Sequence, residues 1–153
     1  MIAASISIAT FSLGKQPTET PPSFGDEMVV NGDFSSAGDD WQESSQFVVS
    51  YPSGTCRLAA SSTIDASITQ GINGLEHGSD YQLKFDLVTS DANTDFLLEG
   101  LFGSQVLSKQ VNAYTFNYTY DQTNGNDLIF KLDASFGGSG SVTIDNISLK
   151  KIT

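Results

Sequence analysis

The one histidine, His77, and the one cysteine, Cys56, bound the covalent chemistry open to this chain. A hydrolytic triad needs a base held beside its nucleophile, and His77 lies in Glu76-His-Gly-Ser79, which reads as a water-exposed turn. One His and one Cys cannot build a clustered transition-metal site. Glycoside hydrolysis needs only two carboxylates, but no pair among the acidic residues lies in a recognisable motif, and the chain is short for a deep substrate cleft. No phosphate loop or dinucleotide Gly-rich turn follows a strand. The expectation is a protein that is not an enzyme. Cys56, without a second cysteine in the chain, reads as a small buried thiol, so no disulfide framework is expected.

Charge narrows the partners. Seven Lys and Arg stand against 18 Asp and Glu, a net charge of −11. That field repels phosphate backbones and anionic lipid surfaces, so no nucleic acid and no membrane partner is expected. No apolar run approaches the roughly 20 residues of a membrane helix. Only 16% of residues are charged, and Ser, Thr, Asn, Gln and Gly fill the gaps between short apolar runs, as in secreted or particle-borne β proteins. At 153 residues there is room for one domain of ordinary size with an arm.

The elements that would position any site are strands. Residues 1–14 alternate Ile6 and Ile8 with Ser5 and Ser7, and they lack the basic n-region of a secretory signal, so they read as a β arm. Residues 15–26 hold three of the four prolines and read as a semi-rigid linker. Residues 27–153 show short β-branched and aromatic runs punctuated by turn pairs such as Asn73-Gly74 and Asn124-Gly125. The period of two predicts strands at 28–30, 46–51, 55–60, 64–70, 80–89, 96–102, 104–112, 114–120, 128–134 and 141–150. Tyr81, Leu83, Phe85 and Leu87 then share one face and Gln82, Lys84 and Asp86 the other. The closing run shifts register at Asp145-Asn146, as a bulge would. Tyr114, Phe116, Tyr118 and Tyr120 share the face opposite Thr115, Asn117 and Thr119, which reads more simply as core than as an exposed platform.

Three blocks resemble the jelly-roll carbohydrate-binding modules that accompany bacterial xylanases and β-glucanases. They are Val30-Asn-Gly-Asp-Phe34 with Trp41, then Ile68-Thr-Gln-Gly-Ile72 with Gly78-Ser-Asp-Tyr81 and Leu83-Lys-Phe85, and the closing Ser141-Val-Thr-Ile-Asp-Asn-Ile-Ser-Leu149. The resemblance implies an all-β jelly-roll β-sandwich of two antiparallel sheets, here with an extended N-terminal arm. It also implies a structural calcium ion (Ca2+) joining the first and last strands. Asp145 matches one ligand position, whereas Ser35 stands where the family commonly has Glu; Asp33 or Asp39 could substitute, and Asp145 could equally cap or kink an edge strand. In glycan-binding members aromatic side chains on a concave sheet stack on sugar rings, which makes Tyr51, Tyr114, Tyr118 and Tyr120 the candidates here. Trp41 is expected in the core or sealing an edge.

Two functions follow. In the first, the chain is a structural or decoration subunit of a larger particle such as a bacteriophage virion. Its arm residues Ile2, Ile6, Ile8 and Phe11 would add a strand to other protein subunits of the assembly, or would form an extra edge strand of their own domain. In the second, it is a free glycan-binding module or adhesin for polysaccharide. Either places it on a virion surface or outside the cell.

Overall fold

The computed structural model describes residues 21–44, 48–134 and 137–153, which form two antiparallel sheets packed face to face. The strands are β1 (Phe24–Glu27), β2 (Gln42–Glu43), β3 (Val49–Ser50), β4 (Cys56–Ala60), β5 (Ala66–Gly71), β6 (Asp80–Ser90), β7 (Asp95–Gly100), β8 (Gly103–Leu107), β9 (Asn112–Thr119), β10 (Asp127–Asp133) and β11 (Gly140–Ile152). One sheet runs β3-β4-β11-β6-β9, with β1 also paired to β11, and the other runs β2-β5-β10-β7-β8. Among the described residues the helical structure is two 3₁₀ turns, Pro52–Gly54 and Gln122–Asn124. This is the jelly-roll sandwich that the strand pattern and the resemblance imply.

Alternation builds the core. Tyr81, Leu83, Phe85 and Leu87 from β6 face Phe96 and Leu98 of β7 and Leu128, Phe130 and Leu132 of β10, all at 1% exposure or less. Phe85 meets Phe130 and Phe96 edge-on, with ring centroids 5.0 and 6.5 Å apart, the geometry that the aromatic quadrupole favours. In β11, Val142 and Ile144 point inward, and so do Ile147 and Leu149. A regular strand would send the second pair outward. One extra residue resolves this: Asp145 lies opposite Asp86 and Ser148 opposite Lys84, so three steps on β11 span two on β6, and Asn146 takes a left-handed φ of 53°. The expected bulge is therefore present.

The N-terminal boundary differs from the expected one. Residues 28–30, expected as a strand, are irregular, and β1 instead occupies the end of the stretch read as linker. The cause is Glu27. Its Oε1 accepts the backbone N–H groups of Met28, Val29 and Leu149 at 3.1, 3.2 and 2.7 Å, and its Oε2 accepts the Ser148 hydroxyl at 2.5 Å. That ties the chain to β11 at Glu27 and turns it away immediately afterwards. The short β2 carries no alternation that a sequence pattern could detect. The arm, with Ile2, Ile6, Ile8 and Phe11, lies outside the described residues.

The Asn31-Gly-Asp-Phe34 block has a mechanical role. The Asn31 side chain donates to the carbonyls of Ala37 and Asp39 at 2.9 and 2.8 Å and accepts from Ser36 N at 3.1 Å, which shapes the following loop. Phe34 is buried against Trp41 and Tyr51, with centroids 5.7 and 5.8 Å away. Trp41 is itself buried and donates through Nε1 to the Asn31 carbonyl at 3.2 Å.

Glu27→Ala should destabilise the fold by about 2 kcal/mol, because it strands backbone donors that lose their acceptor. Glu27→Gln, which keeps an acceptor oxygen, should lose less than half of that. Chemical denaturation of the two variants checks the order, and equal losses would show that the hydrogen bonds are not what matters.

Candidate functional site

The four candidate tyrosines do not assemble into one surface. Tyr114 and Tyr118 lie opposite Phe85 and Tyr81 in the β6–β9 register, on the inward face, half-buried at the open margin between the sheets. Tyr114 donates its hydroxyl to the Ser108 and Gln110 carbonyls at 3.1 and 2.6 Å. Tyr118 packs on Phe102 at 4.0 Å, its hydroxyl is buried without a hydrogen-bond partner among the described residues, and burial pushes its ionisation up. Tyr51 sits near the other margin against Phe34, with its hydroxyl likewise buried and its ionisation raised first by burial. Tyr120 is buried at 7% exposure beside the loops that follow β5 and β9.

Among the described residues neither outer sheet face offers a row of aromatic rings. On the five-stranded sheet, register places Gln42, Thr69, Ile129, Glu99 and Ser104 in one outward row, with Ser67, Lys131, Leu97 and Val106 in the next. Lys131 is held by Asp65 and Asp133 at 2.9 and 3.8 Å. On the six-stranded sheet Phe24 lies 40% exposed, with the Lys84 ammonium 5.8 Å from its ring centroid.

A trough at one end of the sandwich is built differently. Two adjoining depressions of about 370 and 450 Å³ share Asn73. The first has buried Ile72 and Tyr120 and half-buried Leu75 beneath Asn73, Gln122 and Asn126; the second includes Met28, Val30, Asp40 and Gln70. The walls are fixed by backbone pairing: Ile72 N donates to Asn126 O at 2.9 Å, Gly78 N to Tyr120 O at 2.9 Å, and Tyr120 N to Ser79 O at 2.9 Å. Gln70 is locked by its amide to Val30 N, Val30 O and Asp40 O at 2.9, 2.8 and 3.2 Å. In contrast, the side-chain amides of Asn73 and Gln122 make no hydrogen bond to any described residue. Each can donate to one hydroxyl and accept from another, above an apolar floor suited to the C–H face of a sugar ring. The pairs Asn73-Gly74 and Asn124-Gly125 mark these loops in the sequence as turns, but nothing in the pattern separates a turn asparagine from a ligand-facing one.

The candidate calcium residues form an acidic group at the bulge. Burial, and then the charges of Asp86 and Asp33, raise the Asp145 pKa against the opposing Asn146 N–H, which Asp145 Oδ1 accepts at 2.7 Å. Asn146 Nδ2 donates to Asp86 Oδ2 at 2.8 Å. Asp33 is held below the ordinary range by the Ser35 N–H and hydroxyl, at 3.2 and 2.9 Å, so Ser35 caps Asp33 instead of supplying an anion. Calcium wants six to eight oxygens drawn to one point; among the described residues no three acidic, His or Cys side chains converge in that way. The residues present therefore do not make a calcium cage by themselves.

The reactive groups stay apart. Cys56 is fully buried, and desolvation followed by the Glu43 charge pushes its thiol up to about 12, which leaves no thiolate at neutral pH. His77 is 60% exposed and stands 3.8 Å from Asp121, and among the described residues no hydroxyl or thiol nucleophile is bonded to it.

No protein-family model matches the sequence, and no curated protein matches it. Solved structures do. A family 16 carbohydrate-binding module, module 2, aligns with a TM-score of 0.56 at 17% identity, over 80% of this chain and 98% of the module. The enzymatically active domain of tailspike protein 4 from bacteriophage CBA120 aligns with a TM-score of 0.54 at 16% identity, over 82% of this chain and 21% of that one. An arabinose-bound α-L-arabinofuranosidase aligns with a TM-score of 0.50 at 14% identity, over 82% and 26%. At these identities the likeness is one of fold: the chain has the jelly-roll sandwich found in carbohydrate-binding modules.

The raised Asp145 carboxyl has a stability consequence. A carboxylate whose folded pKa lies above its unfolded value weakens the fold where it is ionised, and the penalty fades as pH falls towards the unfolded value. Asp145→Asn, which keeps the acceptor for Asn146 N–H, should raise Tm slightly at pH 7, with the gain shrinking as pH falls through the folded pKa and gone below about pH 4. The gain should be the same in calcium and in chelator. A calcium-dependent rise in the wild type that Asp145→Asn abolishes would instead place a cation at the bulge.

Proposed function

We propose that this chain is a non-catalytic module that binds polysaccharide through the trough shared by Asn73. The observation that carries this reading is the pair of unengaged amides, Asn73 and Gln122, held by a rigid loop framework above Ile72, Leu75 and Tyr120. Hydroxyl groups of a sugar match uncharged donor–acceptor groups, and the ring face matches the apolar floor. The fold likeness to a carbohydrate-binding module supports the same reading. Of the four tyrosines, Tyr120 lines this trough, while Tyr51, Tyr114 and Tyr118 serve the packing of the sandwich margins. A polysaccharide ligand implies work outside the cell. The buried thiol and the isolated, exposed His77 support a binding role without catalysis. The particle-subunit reading would act through Ile2, Ile6, Ile8 and Phe11, which lie outside the described residues, whereas glycan binding draws on the described body alone.

Native electrophoresis of the full chain through gels containing single polysaccharides tests this. At least one polymer should retard the wild type. The double variant Asn73→Ala/Gln122→Ala should weaken that retardation about tenfold or more, since each lost hydrogen bond is worth roughly 1 kcal/mol. Its Tm should not change, because neither amide supports the fold. Retardation by no polymer, or equal retardation of the variant, would count against the trough.

A further inference from the structure

The residues from Gly100 to Tyr120 contain a single charged side chain, Lys109, in a chain whose net charge is −11. Those residues build one flank of the sandwich. β8 and β9 are the end strands of their respective sheets. They lie on the same side, as the 4.0 Å contact of Phe102 with Tyr118 and the Tyr114 bond to Ser108 O require. Every acidic residue thus lies elsewhere in the sequence.

This flank is also the least protected. β9 is eight residues long and has no Pro, no charged residue and no bulge along its free edge. Soluble proteins ordinarily guard such an edge with one of those devices. Val106, on the outward face of β8, and Val111, the residue before β9, are 68% and 63% exposed, the highest values among the exposed large hydrophobic residues described. The half-buried Tyr114, Phe116 and Tyr118 fill the margin between the two edges.

The geometry points to a second copy of this chain as the partner of this flank, joined by antiparallel pairing of β9 with its counterpart about a two-fold axis. Charge decides the partner and the place. Two copies each carrying −11 repel over most of their surfaces, so they approach most readily where the edge itself carries no carboxylate. The bordering Asp80, which accepts the Thr119 hydroxyl at 2.6 Å, and Asp86, opposite Ala113, stand on β6, on the inner side of β9 away from its free edge. An edge strand meeting itself antiparallel satisfies both sets of open backbone groups, as a two-fold interface requires. Eight residues give an edge about 27 Å long. With two sheets about 10 Å apart behind it, the edge strip itself covers about 270 Å², less than the roughly 800 Å² per partner of a standard interface, which fits a weak dimer that forms at high concentration. The inference does not depend on glycan binding, because the trough meets this flank only at Tyr120, past the end of β9, and leaves the free edge of β9 uncovered.

Sedimentation of the full chain should show twice the 16.3 kDa chain mass at high protein concentration, with dimerisation strengthened by added salt that screens the repulsion. Val111→Asp/Thr115→Asp places new like charges on exposed positions across the two-fold axis and should weaken association at least tenfold with an unchanged Tm. Amide hydrogen exchange at Ala113–Thr119 should slow as concentration rises. A single 16.3 kDa species at every concentration, a dimer that the double variant leaves intact, or concentration-independent exchange in β9 would each overturn the proposal.

Discussion

The two halves of β11 must both face the core, and a strand of period two cannot do this when its apolar residues change parity. Val142 and Ile144 are even-numbered, Ile147 and Leu149 odd, and all four are buried. The extra residue at Asp145-Asn146 reverses the parity, and the left-handed Asn146 provides the turn of backbone that this needs. β11 is the strand on which the six-stranded sheet is organised: β4 pairs with its first half, β1 with its end and β6 along most of its length. A strand without the bulge would turn half of this sheet inside out.

The bulge also locates the N-terminal loop. Ile147 N donates to Gly32 O at 2.8 Å, and a Cβ at Gly32 would stand 1.9 Å from Ile147 O. Only glycine permits that approach. Glu27 grips the same strand two residues further on, through Leu149 N. Together these contacts clamp the first and last segments of the body with carboxylate, amide and backbone alone. The Asp145 carboxyl is raised first by its own burial at the bulge and then by repulsion from Asp86 and Asp33.

Fold was legible in the sequence because the long strands bury one face and wet the other. β6 and β10 follow their alternation residue by residue, and even the register shift of β11 shows as a break in that alternation. The parts that were not legible lack this signal. β2 is two polar residues, and β1 holds its place through long-range bonds from Glu27 and Ser23, the latter donating to Thr153 O at 2.8 Å. The aromatic row of β9 was legible as inward-facing from Thr115, Asn117 and Thr119 opposite it. The site was not legible, because the trough joins residues from four separated segments, around Met28, Asp40, Asn73 and Gln122, and no local spacing encodes that meeting.

The proposed recognition on loops rather than on a sheet face is consistent with what each surface is already committed to. The outward face of the five-stranded sheet spends its central Lys131 on Asp65 and Asp133, and its Ser104 hydroxyl donates to Glu99 at 3.3 Å. Those side chains are engaged with one another before any ligand arrives. At the trough the backbone groups and Gln70 hold the shape, which leaves Asn73 and Gln122 uncommitted. Gly100 helps to fix this end, since its φ of 79° and the 1.9 Å from an added Cβ to Asp127 O exclude any side chain where Leu101 N bonds that carbonyl at 2.8 Å. A rigid frame with free amides loses little order when a ligand binds, so the contacts it makes appear more fully as affinity.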